Sequence, residues 1–169
     1  EKGFSWPLVY NTGGYDSIEM LGFFDGIVDI YMPDIKYSND GNALKFSGVA
    51  SYWDVAKGAV KEMHRQVGDL EVGGGGIAER GLLVRHLVLP NGLAGTREIM
   101  SFLAREISPN TYVNMMDQYH PCYKAVGSPE LGRSITGKEY EDAIAAALEA
   151  GIARIDGRDG KWGFKRIDS

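Results

Sequence analysis

The sequence predicts an α/β fold of parallel strands with alternating helices. Short apolar runs bounded by turn residues recur along the chain, and each is followed by a segment of helical periodicity with a recognisable cap. Four such pairs argue for a parallel sheet or part of a barrel. At 169 residues the chain falls short of the roughly 250 that a closed eight-unit barrel needs.

In chain order, Leu8–Thr12 is the first expected strand. Asp16 and Glu19 form a capping-box pattern before Ile18, Met20, Leu21, Phe23 and Phe24, which predicts a short helix. Val28–Lys36 is the second strand, followed by a polar loop, SNDGNALKFSG. Ser51 and Asp54 open a helix to about Val67, with Val55, Ala59 and Met63 on one stripe and Ala56, Val60 and Val67 beside it. Gly73–Gly76 lacks the Gly-Lys-Ser/Thr of a phosphate loop and reads as a flexible connector or hairpin turn. Gly81–Leu89 is the third strand, stopped by Pro90-Asn91-Gly92. Thr96 is expected to cap a helix that buries Ile99, Phe102, Leu103 and Ile107. Tyr112–Asp117 is the fourth strand. Thr136 and Glu139 make a second capping box, Gly151 stops that helix, and Ile152–Ile155 is a last short strand. Residues 1–155 are expected to form one unit, and 156–169 a polar tail.

Composition bounds the function. The chain is 44% apolar and 24% charged, with a net charge of −5. The charge argues against nonspecific nucleic-acid binding. No apolar run approaches the roughly 20 residues of a membrane span. The start, EKGFSWPLVY, lacks the shape of a signal peptide. One cysteine, Cys122, can neither close an intramolecular disulfide nor alone hold a zinc or iron–sulfur site, and it fits a reducing, cytoplasmic setting.

The chemistry-bearing residues gather at strand ends. Alternation places Ile30, Met32, Asp34 and Lys36 on one face of the second strand and Asp29, Tyr31, Pro33 and Ile35 on the other. A carboxylate and an ammonium at a strand's C-terminal end sit where α/β sheets bind ligands, or else form a solvated ion pair. Asn11-Thr12-Gly13-Gly14 ends the first strand, either as a plain turn or as a close approach to a ligand. Arg85 and His86 point to opposite faces of the third strand. Arg85 needs an anionic partner, such as Asp29 or Asp117, or a ligand, and His86 reads as a hydrogen-bonded packing residue. His120 shares the rim with Asn11, Asp34 and Lys36, and Asp34 with His120 could serve as a general-base pair or as two ligands of a metal site.

Four segments in order, NTGGY (Asn11–Tyr15), YMPDIKY (Tyr31–Tyr37), VRHLVLPN (Val84–Asn91) and DQYHP (Asp117–Pro121), resemble the later half of radical S-adenosylmethionine enzymes of the pyruvate formate-lyase activating type. The resemblance covers about residues 5–155. It implies a six-unit, TIM-like (β/α)6 partial barrel that binds S-adenosylmethionine and a [4Fe–4S] cluster. It also implies formation of a 5′-deoxyadenosyl radical, which abstracts a glycine hydrogen from a glycyl radical enzyme partner.

Residue by residue, Asn11 and Thr12 match the family's Asp-Thr. Met32, Asp34 and Lys36 match its Met-x-Asp-x-Lys, Arg85 and Pro90 its Arg-x-x-x-x-Pro strand, and His120 its Tyr-His. These seven positions, Asn11, Thr12, Met32, Asp34, Lys36, Arg85 and His120, are thereby implied at the cofactor pocket. Asn11 stands where the family has a carboxylate of a monovalent-cation site. The CxxxCxxC and Gly-Gly-Glu segments are absent, so the resemblance implies a piece that begins at the family's third strand and lacks turnover alone. Such a piece would expose a sheet edge beside Leu8–Thr12, open to homo-oligomerisation. The residues alone leave two other readings: a stand-alone α/β lyase or hydrolase using Asp34, Lys36 and His120, and a non-catalytic module that binds a nucleotide or a partner. Asp34 beside Lys36 favours the charged amine and so argues against a Schiff-base role.

Overall fold

The computed structural model describes residues 6–156. The expected tail thus lies outside the described residues except for Asp156. The elements run β1 (Val9–Thr12), α1 (Ile18–Gly22), β2 (Ile30–Pro33), α2 (Asp40–Ser47), α3 (Tyr52–Val67), β3 (Glu71–Val72), β4 (Ala78–Leu87), α4 (Thr96–Phe102, continued by a wider π turn to Ile107), β5 (Tyr112–Met116), α5 (Gly137–Ala150) and β6 (Ile155–Asp156). The fold class expected from the sequence is the one observed. Parallel strands lie in the order β1-β2-β4-β5-β6, and β3 pairs antiparallel with β4 as a side arm.

Alternation along each strand divides the sheet into two unlike faces. One carries Tyr31, Leu82, Val84, Val113 and Met115. It packs against Leu21 of α1, the Ala59, Val60, Met63 and Val67 stripe of α3, Ile99 and Leu103 of the α4 segment, and Ala143 and Ala147 of α5. The opposite face buries Ile30, Leu83 and Tyr112 beneath Leu70 and Ala78, where the β3 arm folds back. That second cluster fills only the half near the start of the strands.

Several local expectations are corrected. The stretch expected as a polar loop forms α2, because the Asn39 side chain accepts from the Asn42 N–H, Gly48 closes the helix in a left-handed conformation, and Ala43 is buried beneath it. Ser17, not Asp16, caps α1, and the Asp16 carboxylate instead accepts from Tyr10 Oη at 3.0 Å and Thr12 Oγ1 at 2.6 Å. Ser51 precedes α3 without a side-chain cap bond. Gly95 takes the cap position of α4, and the Thr96 hydroxyl is engaged with His86. Thr136 and Glu139 form the expected capping box, and Gly151 the expected left-handed stop. Gly73–Gly76 is the turn of the β3–β4 hairpin.

Candidate functional site at the open face

Asp34 follows the last residue of β2, and its backbone stays in register opposite Arg85 of β4. The side chains meet on the helix-free face. Arg85 Nε and Nη2 both lie 2.7 Å from Asp34 Oδ1. Lys36 Nζ donates to Asp34 Oδ2 at 2.7 Å, and Arg85 Nη2 donates to Asn11 Oδ1 at 3.1 Å. One carboxylate thus bridges two cations, and an amide from β1 completes the set. The group carries a net charge of +1 and is only partly shielded: the side chains of Asp34 and Arg85 are 19% and 26% exposed, and that of Lys36 45%. The ionic partner of Arg85 is therefore Asp34, not Asp29 or Asp117. Asp29 accepts from the Leu8 N–H.

The row continues beyond Arg85. Asn114 of β5 is in register with Arg85, and Asp156 of β6 with Asn114; Asn114 Nδ2 donates to Asp156 Oδ2 at 3.1 Å. Asp34, Arg85, Asn114 and Asp156 form one level across four strands, above the apolar floor of Ile30, Leu83 and Tyr112. Met32 is half-buried on the same face, at the edge of that floor.

Two expected members stand apart. Thr12 points to the other side, where its hydroxyl donates to Asp16, and only its backbone carbonyl joins the site, accepting from the Asp34 N–H at 2.9 Å. His120 lies past the end of β5, exposed, with Nδ1 3.2 Å from the Gln118 carbonyl oxygen. Among the described residues no hydrogen bond or ion pair joins it to Asp34. It sits in the loop that follows β5 and, among the same residues, makes no direct bond to the set.

The segment holding Asp34 and Lys36 is fixed through its backbone. Ile35 N–H donates to the Arg85 carbonyl at 2.9 Å. The Ile35 carbonyl accepts from His86 Nδ1 at 2.7 Å, so the neutral ring presents Nε2 as an acceptor to Thr96 Oγ1 at 2.9 Å. His86 is fully buried, and that burial pushes its pKa down to about 4. It is the packing residue the sequence suggested. Tyr52 Oη accepts from the Lys36 N–H at 2.9 Å and donates to the Asp34 carbonyl at 3.1 Å. Gly14, at φ +77°, passes so close that a Cβ there would sit 2.4 Å from the Asp34 carbonyl oxygen. The close approach expected of Gly13-Gly14 is thus to the protein's own backbone, and only Gly14 needs it.

Tyr52, Asn114 and Asp156 were not expected at the site. Asn114 had a signal, because it shares its face with Tyr112 and Met116 in an otherwise apolar strand. Tyr52 had none, because a tyrosine in the first turn of an amphipathic helix reads as packing.

Among the described residues there is no grouping of three or more His, Cys, Asp or Glu side chains that could hold a metal ion, and no helix long and apolar enough to cross a membrane. No protein-family model matches the chain. It is 34% identical over 142 residues to an uncharacterized protein of Methanocaldococcus jannaschii. The match takes in 83% of this chain and 38% of that relative, so the chain spans little more than a third of the relative's length.

Proposed function

We propose that this chain supplies the later strands of a radical S-adenosylmethionine enzyme of the glycyl-radical-activating type, with the open face of the sheet as its share of the cofactor pocket. One observation carries the reading. Asn11, Asp34, Lys36 and Arg85, 74 residues apart at the extremes, come from three strands and join in one hydrogen-bonded set at the C-terminal end of the sheet, where ligands bind in barrels and open α/β sheets. The strand order adds support. It runs in one direction without a switch point, and right-handed crossovers then put every helix on one face, as in a barrel wall. A (β/α)6 partial barrel is the curved form of that arrangement.

The residues present fit the amino-acid end of S-adenosylmethionine. Lys36 and Arg85 can hold its carboxylate, while Asp34 balances its ammonium and sulfonium charges. They do not fit the cluster. A single, exposed cysteine, Cys122, cannot hold four irons, so in this reading the [4Fe–4S] ligands belong to the rest of a longer, cytoplasmic protein. S-adenosylmethionine bound at such a cluster supplies the radical chemistry. The part of this chain is to orient the cofactor's charged end, and a glycyl radical enzyme is the proposed partner. The stand-alone lyase or hydrolase reading is weaker, because Asp34 and Lys36 are spent on each other and His120 is not joined to them.

The test is anaerobic reconstitution of the full-length protein with iron and sulfide, then reduction in the presence of S-adenosylmethionine. Formation of 5′-deoxyadenosine and methionine is expected. Asp34→Asn, which releases Arg85 and Lys36 from their shared anion, should cut the cleavage rate by about 100-fold, the cost of roughly 2.7 kcal/mol in positioning. Absence of cleavage in the unmutated protein would overturn the proposal.

A further inference from the structure

Resting on that reading, we infer that Tyr52 is a positioning residue for the cofactor face, acting through the backbone of Asp34 and Lys36. Its hydroxyl is the one group on α3 that touches both: it accepts from the Lys36 N–H and donates to the Asp34 carbonyl, with the Gly13 carbonyl at 3.4 Å on its other side. Beyond the end of β2, Asp34 N–H still reaches the Thr12 carbonyl and Ile35 N–H the Arg85 carbonyl, but the Lys36 N–H, three residues out, has the Tyr52 hydroxyl as its partner. A tripeptide past a strand end would ordinarily be free to turn. Here the backbone bonds of Asp34 and Ile35 carry the strand's geometry to Ile35 and the hydroxyl carries it on to Lys36, so that Asp34 and Lys36 stay on one face.

The ring does not depend on the hydroxyl for its place. It is 4% exposed, stacked on Tyr15 with centroids 6.0 Å apart and met edge-on by Tyr37 at 5.8 Å. Burial pushes the Tyr52 phenol up to about 12, so it stays a neutral donor at any physiological pH. Tyr52→Phe therefore removes one oxygen and leaves the packing. Tyr31→Phe is the matched control. Tyr31 is also buried, and its hydroxyl donates to Gln66 Oε1 at 2.5 Å on the helix-covered face, away from the open one.

In the reconstituted full-length protein, both variants should lower the melting temperature by similar amounts. Tyr52→Phe alone should weaken S-adenosylmethionine binding, read by calorimetric titration, by about tenfold, the worth of a hydrogen bond that no longer fixes its charged neighbours. It alone should also speed hydrogen exchange at the Lys36 amide. The inference is overturned if Tyr52→Phe leaves affinity unchanged, whether or not exchange quickens, or if Tyr31→Phe weakens binding equally. Should the unmutated protein fail to bind S-adenosylmethionine at all, the proposed function falls, and Lys36 exchange alone then decides whether Tyr52 holds the segment.

Discussion

Arg85 and His86 are neighbours on β4, and they show how differently the two faces of the sheet treat a polar side chain. His86 points among the helices. There it is kept neutral, with both ring nitrogens spoken for by the Ile35 carbonyl and the Thr96 hydroxyl. Arg85 points to the open face, keeps its charge, and shares Asp34 with Lys36 while a quarter of its side chain meets solvent. The helix-covered face buys order by excluding charge; the open face retains charge that a ligand can meet. The same strand thus serves as core wall on one side and carries a partly solvated charged row on the other.

The comparison breaks most visibly in the core. Leu82→Ala, fully buried on the covered face, should cost about 3 kcal/mol by denaturant unfolding. Met32→Ala, half-buried on the open face, should cost about 1 kcal/mol, because solvent and neighbouring side chains can fill the space. Equal costs would mean that the open face is as tightly packed as the other.

Acid is the next lever, and it acts on the covered face. The folded-state pKa of His86 lies at about 4, against 6.5 for a free imidazole. The unfolded chain therefore binds the proton first, and stability falls as the pH drops from about 6.5 to 4. The full loss is on the order of 3 kcal/mol, from roughly 2.5 pH units at 1.36 kcal/mol each. Unfolding measured against pH should show this slope, and the imidazole resonances of His86 should titrate near pH 4. A resonance that titrates at the ordinary histidine value would contradict the buried, neutral ring.

The smallest effect sharpens the open face. Asn11→Asp adds an anion beside the Arg85 guanidinium, which already donates to Asn11 Oδ1 at 3.1 Å. On a partly solvated surface this should raise stability by about 0.5 kcal/mol at low salt, and the gain should fade as ionic strength rises. A gain that persists at high salt would mean the site is more shielded than its exposure suggests.

Much of this was legible in the sequence because periodicity is local. Alternation alone placed Met32, Asp34 and Lys36 together and separated Arg85 from His86. The capping box at Thr136 was readable for the same reason. What escaped depended partly on contacts between distant segments and partly on competing local bonds. Nothing near Arg85 in sequence names Asp34, 51 residues away, as its partner. Asp16 has the form of a helix cap, but the hydroxyls of Tyr10 and Thr12, six and four residues before it, claim its carboxylate. The SNDGNALKFSG stretch is polar enough to read as a loop, yet an asparagine cap, a glycine stop and one buried alanine make it a helix. For His120 the strand end at β5 was legible but its partner was not, because a residue in a loop takes its contacts from whatever the loop packs on; here its ring faces the Gln118 carbonyl.

The one-way strand order also bears on how the chain comes to be folded as it leaves the ribosome. Each parallel strand pairs with one already synthesised, and the β3 arm pairs with the strand that follows it directly. No strand has to wait for a distant downstream partner to be inserted between neighbours. Within the described residues each added parallel strand finds its partner already made, but β2 and β4 pair across about 50 residues (Ile30 with Gly81), so this parallel pairing closes a long loop and is slower than the local β3–β4 hairpin.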